Sequence, residues 1–580
     1  MNRTRSISEA ARETAVERRI SVADHVVELI AGHSDHVFGV GGANIEDIYD
    51  ALQRSTAQIT GIVAKHEFGA ATMADGYART TNRLGVVAAT SGGGALNLVA
   101  ALGESFDSRI PVLALIGQPP LALEGQGAFQ DTSGGVGRID AERLFGSVSR
   151  FCVKLKRTED AAVAVEQAIR AAMGGGPSVL LLPKDIQTQE MPARLRSVAP
   201  GSLSVASARP PFGQDFDSDE PLRRDEALGL VGSVAGTGLT VIIAGPEVAR
   251  ADARAELVTM ARALHAVVTV TPDAKDAFPN DHPLFAGIAG SMGHPRVAEL
   301  IGEAALCVLV GTAMPVMARA GLDVALANCP RVLHLGTDPA FVRIDVWLRG
   351  PLRSRLLEVA SAASGADFGH EPVRPIVSPA LSVPAAVGPG VRYRDAVEAI
   401  NVRLEPGMDV VVDAGNTGAA AVHHLPVPTD GRFVIALGMG GMGYAFGAGI
   451  GSALGRRRRT FVIAGDGAYF MHGHEVHTAV EHHVPVTFVI FNNNAHAMCV
   501  TREQLYYSGD YTYNRFGPAR IGAAVAAMFP HIPAYSTDTR AEFEAALDQS
   551  RAATGPVFIE ILCDPDEIPP FAPFLKELSA

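Results

Sequence analysis

Thr460-Phe461-Val462-Ile463-Ala464-Gly465-Asp466-Gly467-Ala468-Tyr469 and, further on, Val486-Thr487-Phe488-Val489-Ile490-Phe491-Asn492-Asn493-Asn494 are the stretches from which the fold is read. Each opens as an apolar run of strand length and stops at a polar cluster, the first at a predicted Gly-Asp-Gly turn. Glu475 to His483, between them, has helical character. A strand–helix–strand unit puts both clusters at the carboxyl ends of neighbouring parallel strands, where open α/β sheets bind ligands. The clusters offer carboxylate, amide and carbonyl oxygens, which suit a hard octahedral cation such as Mg²⁺ holding a phosphate. The glycines let the backbone come close to such a phosphate.

Asn493 stands 27 positions after Asp466 (493 − 466). A lone Gly-Asp-Gly is a weak signal, but with the asparagines at this spacing it resembles the diphosphate-binding signature of thiamine-diphosphate-dependent enzymes. A second stretch lies far upstream. Lys65-His66-Glu67-Phe68-Gly69-Ala70-Ala71-Thr72-Met73-Ala74-Asp75-Gly76-Tyr77-Ala78-Arg79 resembles the catalytic-glutamate segment of the same superfamily. Thr90-Ser91-Gly92-Gly93-Gly94-Ala95 is similar to the TSGPGA segment of acetohydroxyacid (acetolactate) synthases, with Gly93 where that family usually has proline. The resemblance runs over essentially the whole chain, most weakly in the middle and in the first twenty residues.

Bulk properties agree with a large α/β protein. At 580 residues the chain is too long for one core, and three domains are the natural count. Hydrophobic residues make up 47%, yet the longest apolar stretches are strand length or broken by glycine, so no transmembrane helix is expected. A net charge of −13 argues against nucleic acid or an anionic membrane surface as partner. The first nineteen residues have no apolar segment of a secretory signal, and five scattered cysteines fit reduced thiols, so a cytoplasmic location is expected. Segments rich in Pro, Gly, Ser and Ala at 197–221 and 365–390 read as connectors. They divide the chain into 1–196, 222–364 and 391–580. The outer blocks alternate strands and helices, as in Leu84–Ala89, Val112–Ile116 and Asp409–Val412, and the middle block has a Rossmann-like pattern through Leu239–Ala244 and Ala305–Val310. The expectation is three doubly wound α/β domains with mainly parallel sheets.

The resemblance implies a role for particular residues. The three blocks become the pyrimidine-binding, central and diphosphate-binding domains, with thiamine diphosphate held between the first block of one subunit and the third of another in a homo-oligomer. Glu67 would be the buried carboxyl that bonds the cofactor's ring N1′ and so promotes loss of the thiazolium C2 proton, its acidity weakened by desolvation. Leu437-Gly438-Met439-Gly440-Gly441-Met442-Gly443 resembles a family turn in which Met442 supports the bent cofactor and the Gly440 carbonyl receives its 4′-amino group. Gly41, Thr90, Asn97, Gly415, Asn416, Thr417, Gly465, Gly467, Ala468 and Tyr469 fall at cofactor-contact positions. Asp466, Asn493 and the carbonyl of Ala495 would ligate Mg²⁺.

At the substrate end, Phe129-Gln130-Asp131 matches a segment whose glutamine reaches the reacting carbonyl, so Gln130 could donate to a developing oxyanion. Gly42, Asn44, Phe129, His472 and Met498 are further candidates to line the substrate. Arg502 occupies the position of a family tryptophan that selects the larger 2-oxo acid acceptor, and a guanidinium there rebuilds that pocket for a polar partner. FAD is possible but not favoured, because Val310-Gly311-Thr312-Ala313-Met314-Pro315 lacks the arginine and aspartates that help hold flavin in the family. The leading expectation is a thiamine-diphosphate- and Mg²⁺-dependent carboligase. It would decarboxylate a 2-oxo acid donor, most simply pyruvate, and transfer the acyl carbanion to a carbonyl acceptor. The alternatives are a decarboxylase that joins nothing, a flavin-linked oxidase and a non-catalytic regulatory subunit.

Overall fold

The structure, a computed structural model, describes residues 19–192, 205–208, 220–234, 236–363, 376, 378–510 and 513–579. The connector expected at 197–221 lies outside these residues except at 205–208 and 220–221, and 365–375 and 377 of the second connector also lie outside them.

Three sheets carry the fold. The third runs in the order Phe433–Ile435, Asp409–Val412, Thr460–Gly465, Val486–Asn492, Val557–Leu562, Ala534–Thr537, and every neighbouring pair is parallel. Helices on both faces bury its central strands, which is why Val486–Asn492 is apolar almost throughout and wholly buried. The middle sheet runs Phe285–Ile288, Val267–Val270, Thr240–Ala244, Leu306–Val310, Val332–Leu335, Val346–Leu348, again all parallel. Its order reverses between Thr240–Ala244 and Leu306–Val310, as in dinucleotide-binding sheets. The first sheet runs Thr60–Val63, His36–Gly39, Gly85–Ala89, Val112–Gln118, Ser178–Pro183, Phe151–Lys154, Val205–Ala208. Only its last pair is antiparallel, and that edge strand comes from the segment read from sequence as a connector.

Two local expectations change. There is no turn at Gly-Asp-Gly: the strand ends on Gly465 and a helix, Asp466–His472, begins at the next residue. The crossover that follows is broken into a 3-10 turn, Gly473–Glu475, and a short helix, Val476–Glu481, rather than one helix from 475 to 483.

A helix pair packs the first domain against the third. Glu67–Thr81 lies against Tyr444–Arg456 with the two backbones almost touching. A methyl on Gly76 would stand 2.2 Å from the Ala448 carbonyl, and one on Gly451 would stand 1.9 Å from that of Met73. Arg79 and Tyr444 converge on the buried carboxylate of Asp75, which also accepts from Ser105 Oγ (2.7 Å). One apolar core therefore continues from Phe38, Met73 and Val87 to Phe446, Val462 and Phe488. A second core joins Ile242 and Leu333 of the middle sheet to Val410, Ile463 and Val489 of the third. Among the described residues no helix is long and apolar enough to cross a membrane.

Candidate active site

The carboxyl ends of the third sheet gather one group of predicted residues. Gly465 is opposite Phe491 in the strand register, so Asp466 and Asn493 emerge side by side. Asp466 is 1% exposed, and its Oδ1 faces the Asn493 N–H at 3.5 Å while Oδ2 is buried with no partner. Burial pushes this acid up to about 7. Asn493 donates from Nδ2 to Tyr393 Oη (3.0 Å) and accepts the Ala495 N–H on Oδ1 (3.0 Å).

A neighbouring strand end supplies Asp413 and the helix Asn416–His424. Asn416 and Thr417 are buried in its first turn, and Asn416 Oδ1 is a second buried oxygen without a partner. Glu567 Oε2 is a third, on a carboxyl raised by burial to about 7. Asp413 accepts N–H groups from Gly443 (3.0 Å) and Ala445 (2.9 Å), anchoring the turn that holds Gly440 and Met442 to the start of the Tyr444 helix. Burial outweighs those donors and raises Asp413 to about 6. Met442 Cε lies 3.2 Å from where a methyl on Gly467 would stand. Gly415 (φ +115°), Gly440 (φ +64°) and Gly465 face open space, since an added Cβ at each would meet nothing within 4 Å. Only glycine combines that backbone at 415 and 440 with an unobstructed approach for a ligand.

The second group lies at the carboxyl ends of the first sheet. Glu67 is the first residue of its helix and accepts the Asn97 side-chain amide (2.9 Å), with Oε1 against Gly94. It is half-buried in one chain, not fully desolvated as expected from sequence. Thr90 Oγ1 receives the Asn44 N–H (3.2 Å) and donates to Gln130 Oε1 (3.3 Å), and Asn44 Nδ2 reaches Ser91 Oγ (2.7 Å). Gly42 packs on Thr90, whereas Gly41 is exposed. Gln130 is held in the left-handed region (φ +59°), a strained placement for a side chain that sets its direction. Phe129 beside it is 78% exposed.

His472 bridges the two groups. Its ring stacks on Phe68 at 4.2 Å and approaches His66 edge-on at 5.2 Å, beneath Gly443. Burial lowers it to about 4, so it is neutral at physiological pH. Ala468 is buried and Tyr469 half-buried in the helix that starts at Asp466. Met498 is half-buried on the helix Ala497–Tyr507. Arg502, on the same helix, is exposed and lies over the Phe574 ring at 5.8 Å, against the C-terminal helix Ala572–Ser579.

Sequence reading gave no role to Asp413, Tyr393, Glu475 or Glu567. Asp413 directly follows the strand Asp409–Val412, and that strand-end position is the available signal. Tyr393 and Glu567 lie outside every motif, and only the folded chain brings them to Asn493 and Asn416.

Three family descriptions match the chain: the N-terminal thiamine pyrophosphate binding domain over 20–136, the central domain over 235–358 and the C-terminal thiamine pyrophosphate binding domain over 413–561. The chain is 27% identical over 555 residues to a probable acetolactate synthase large subunit of Methanocaldococcus jannaschii, covering 93% of this chain and 90% of that one. It is 27% identical over 578 residues to an acetolactate synthase of Arthrospira platensis, with 95% of each covered. Against the acetolactate synthase isozyme 1 large subunit of Escherichia coli it is 25% identical over 569 residues, with 96% of each covered. With three family domains in order, and two polar groups at the ligand ends of two parallel sheets, the chain belongs to the thiamine pyrophosphate enzymes as an acetolactate-synthase-like member.

Proposed function

We propose that this thiamine-diphosphate-dependent carboligase uses Mg²⁺, takes pyruvate as its simplest 2-oxo acid donor and joins the acyl group to a second carbonyl compound. The observation that carries the metal reading is Asp466 Oδ2, a buried carboxylate oxygen without a partner, on a side chain whose other oxygen faces the Asn493 N–H. An unpaired buried carboxylate is costly, and a hard cation compensates it.

Bound thiamine diphosphate supplies an acidic carbon and an electron sink for the bond broken in decarboxylation. The chain's own groups do the rest. Asp466, Asn493 and Ala495 would hold the cation. The first-turn N–H groups of the Asn416 helix, with Gly415, Gly465 and Gly467, favour phosphate at their end of the sheet. Met442 would prop the cofactor, the Gly440 carbonyl would receive its amino group, and Glu67 would hold a proton toward its ring N1′. Gln130, fixed by Thr90, directs its amide toward the reacting oxygen, and His472 and Arg502 border the acceptor.

Glu67 and Asp466 belong to different domains, and Glu67 is half-buried. Met439, Phe470, Met471, Tyr506 and Tyr507 are exposed apolar or aromatic side chains on the third domain. Both features support a second copy completing the site and burying Glu67. Flavin is not part of this reading. At the order reversal of the middle sheet, where a dinucleotide would lie, a methyl on Gly245 would stand 2.4 Å from Thr312, and the Glu247 carboxylate accepts from Thr337 N–H (3.0 Å). A close-packed strand end with a buried acid beside it disfavours a pyrophosphate.

Incubating pyruvate with sets of aldehydes, ketones and 2-oxo acids, with mass spectrometry as readout, tests the proposal. An acetyl-extended product supports it. Carbon dioxide with acetaldehyde alone would move the chain to simple decarboxylation.

A further inference from the structure

We propose that Glu475 is a positioning residue that sets Glu67: from the third domain its carboxylate holds the backbone entering the first-domain helix that Glu67 begins. The inference rests on the reading of Glu67 above. Glu475 ends the 3-10 turn Gly473–Glu475, directly after the helix that carries Asp466. It is 1% exposed. Its Oε1 accepts the N–H groups of Lys65 (3.1 Å) and His66 (3.0 Å), and Oε2 accepts from Lys65 N–H (3.3 Å) and Thr478 Oγ1 (2.8 Å).

Those two N–H groups come just before the helix Glu67–Thr81, where no carbonyl of the helix itself can receive them. His66 cannot serve them with its ring, because Nδ1 already accepts the Phe68 N–H (3.1 Å). One buried acceptor from another domain therefore decides where the first helical turn sits, and Glu67 is its first residue. The same first turn is shaped to admit that carboxylate. At Gly69 a methyl would stand 2.2 Å from Glu475 Oε1 and 2.6 Å from its Cδ. A glycine and an acid more than four hundred positions apart thus form one joint.

The chemistry requires an acid at 475. A carboxylate presents acceptor lone pairs on both oxygens to its converging donors, whereas an amide of the same shape turns an NH₂ toward at least one of them. Leaving a buried N–H unpaired, or opposing it with another donor, moves the backbone it belongs to. For a group that must meet one ring nitrogen, a displacement of about 1 Å is worth up to about 100-fold in rate.

The test uses the full chain with Glu475→Gln and, separately, Gly69→Ala, which keeps the acid but pushes it from its seat. Backbone hydrogen exchange of residues 64–70 in the cofactor-free protein should lose the protection of the Lys65 and His66 amides in both variants. At saturating Mg²⁺ and thiamine diphosphate, proton exchange at C2 should slow by about 10- to 100-fold while calorimetric cofactor affinity stays within about threefold. A folded Glu475→Gln protein with native C2 exchange, even with a lowered thermal midpoint, would reduce Glu475 to a structural tie and overturn the proposal. If that variant does not fold, Gly69→Ala decides on the same two outcomes. Glu67→Gln is run beside them. Native exchange there would remove Glu67 from the reading, whereas slow exchange there with native exchange in Glu475→Gln would sink this inference alone.

Discussion

Cofactor binding should weaken steeply below neutral pH, and Asp466 gives the slope. Its carboxyl rises from 3.8 to about 7 because it is buried with one oxygen unpartnered. A metal needs the ionised form, so protons compete for the site. With a site value of about 7, about nine-tenths of the acid is ionised at pH 8, about one-tenth at pH 6 and about one-hundredth at pH 5. Apparent affinity for thiamine diphosphate with Mg²⁺ should therefore fall about 100-fold from pH 8 to pH 5, near 1.4 kcal/mol per unit at the acid end. Glu567, also raised to about 7, steepens the fall wherever its charge assists the cation. The cofactor-free protein behaves oppositely. A carboxyl raised on folding adds stability that is fully present below its unfolded value and lost as pH rises through the folded one. The apo protein should thus lose stability between about pH 4 and 7 while cofactor binding gains strength. Calorimetry across pH 5–8.5, native against Asp466→Asn, checks the argument. A flat native profile, or the same slope in the variant, would refute it.

Glu67→Gln should keep cofactor affinity and slow C2 proton exchange by about 100-fold or more, because an amide cannot share a proton with N1′; deuterium exchange read by NMR decides. Asp466→Ala should abolish Mg²⁺-dependent binding of thiamine diphosphate, and unchanged calorimetric affinity would remove Asp466 as a ligand. Arg502→Trp should shift acceptor preference by about tenfold or more with donor decarboxylation unchanged; an identical acceptor spectrum would confine Arg502 to its stacking on Phe574. Gly451→Val drives a side chain into the Met73 carbonyl and should cost at least about 1–3 kcal/mol, seen as a lower thermal midpoint.

The parts of the site readable from sequence are those that share a local segment. Asp466 and Asn493 end two strands of one crossover, so spacing and pattern place them side by side. Glu67 was readable because its neighbours form a motif. Burial was not readable: Glu67 is half-exposed within a single chain, since its surroundings depend on more than its own segment. Glu475 stood inside the predicted crossover as an unremarked helical residue. Its importance comes from Lys65 and His66, which periodicity cannot bring to it. The strand Val205–Ala208 is not legible in the sequence because it is four residues long and its Ser- and Ala-containing sequence gives no apolar run. The Gly-Asp-Gly segment suggests a turn by composition, yet packing starts a helix on Asp466 itself, which brings the carboxyl to the helix N-terminus.

The most direct test is NMR on purified protein given [2,3-¹³C]pyruvate, thiamine diphosphate and Mg²⁺, with and without a second carbonyl compound. The account predicts release of carbon dioxide and a product whose labelled two-carbon unit is bonded to a new carbon, both lost when either cofactor is withheld and both lost in Asp466→Ala. Labelled acetate or acetaldehyde as the sole product, or turnover that persists without thiamine diphosphate, would contradict it.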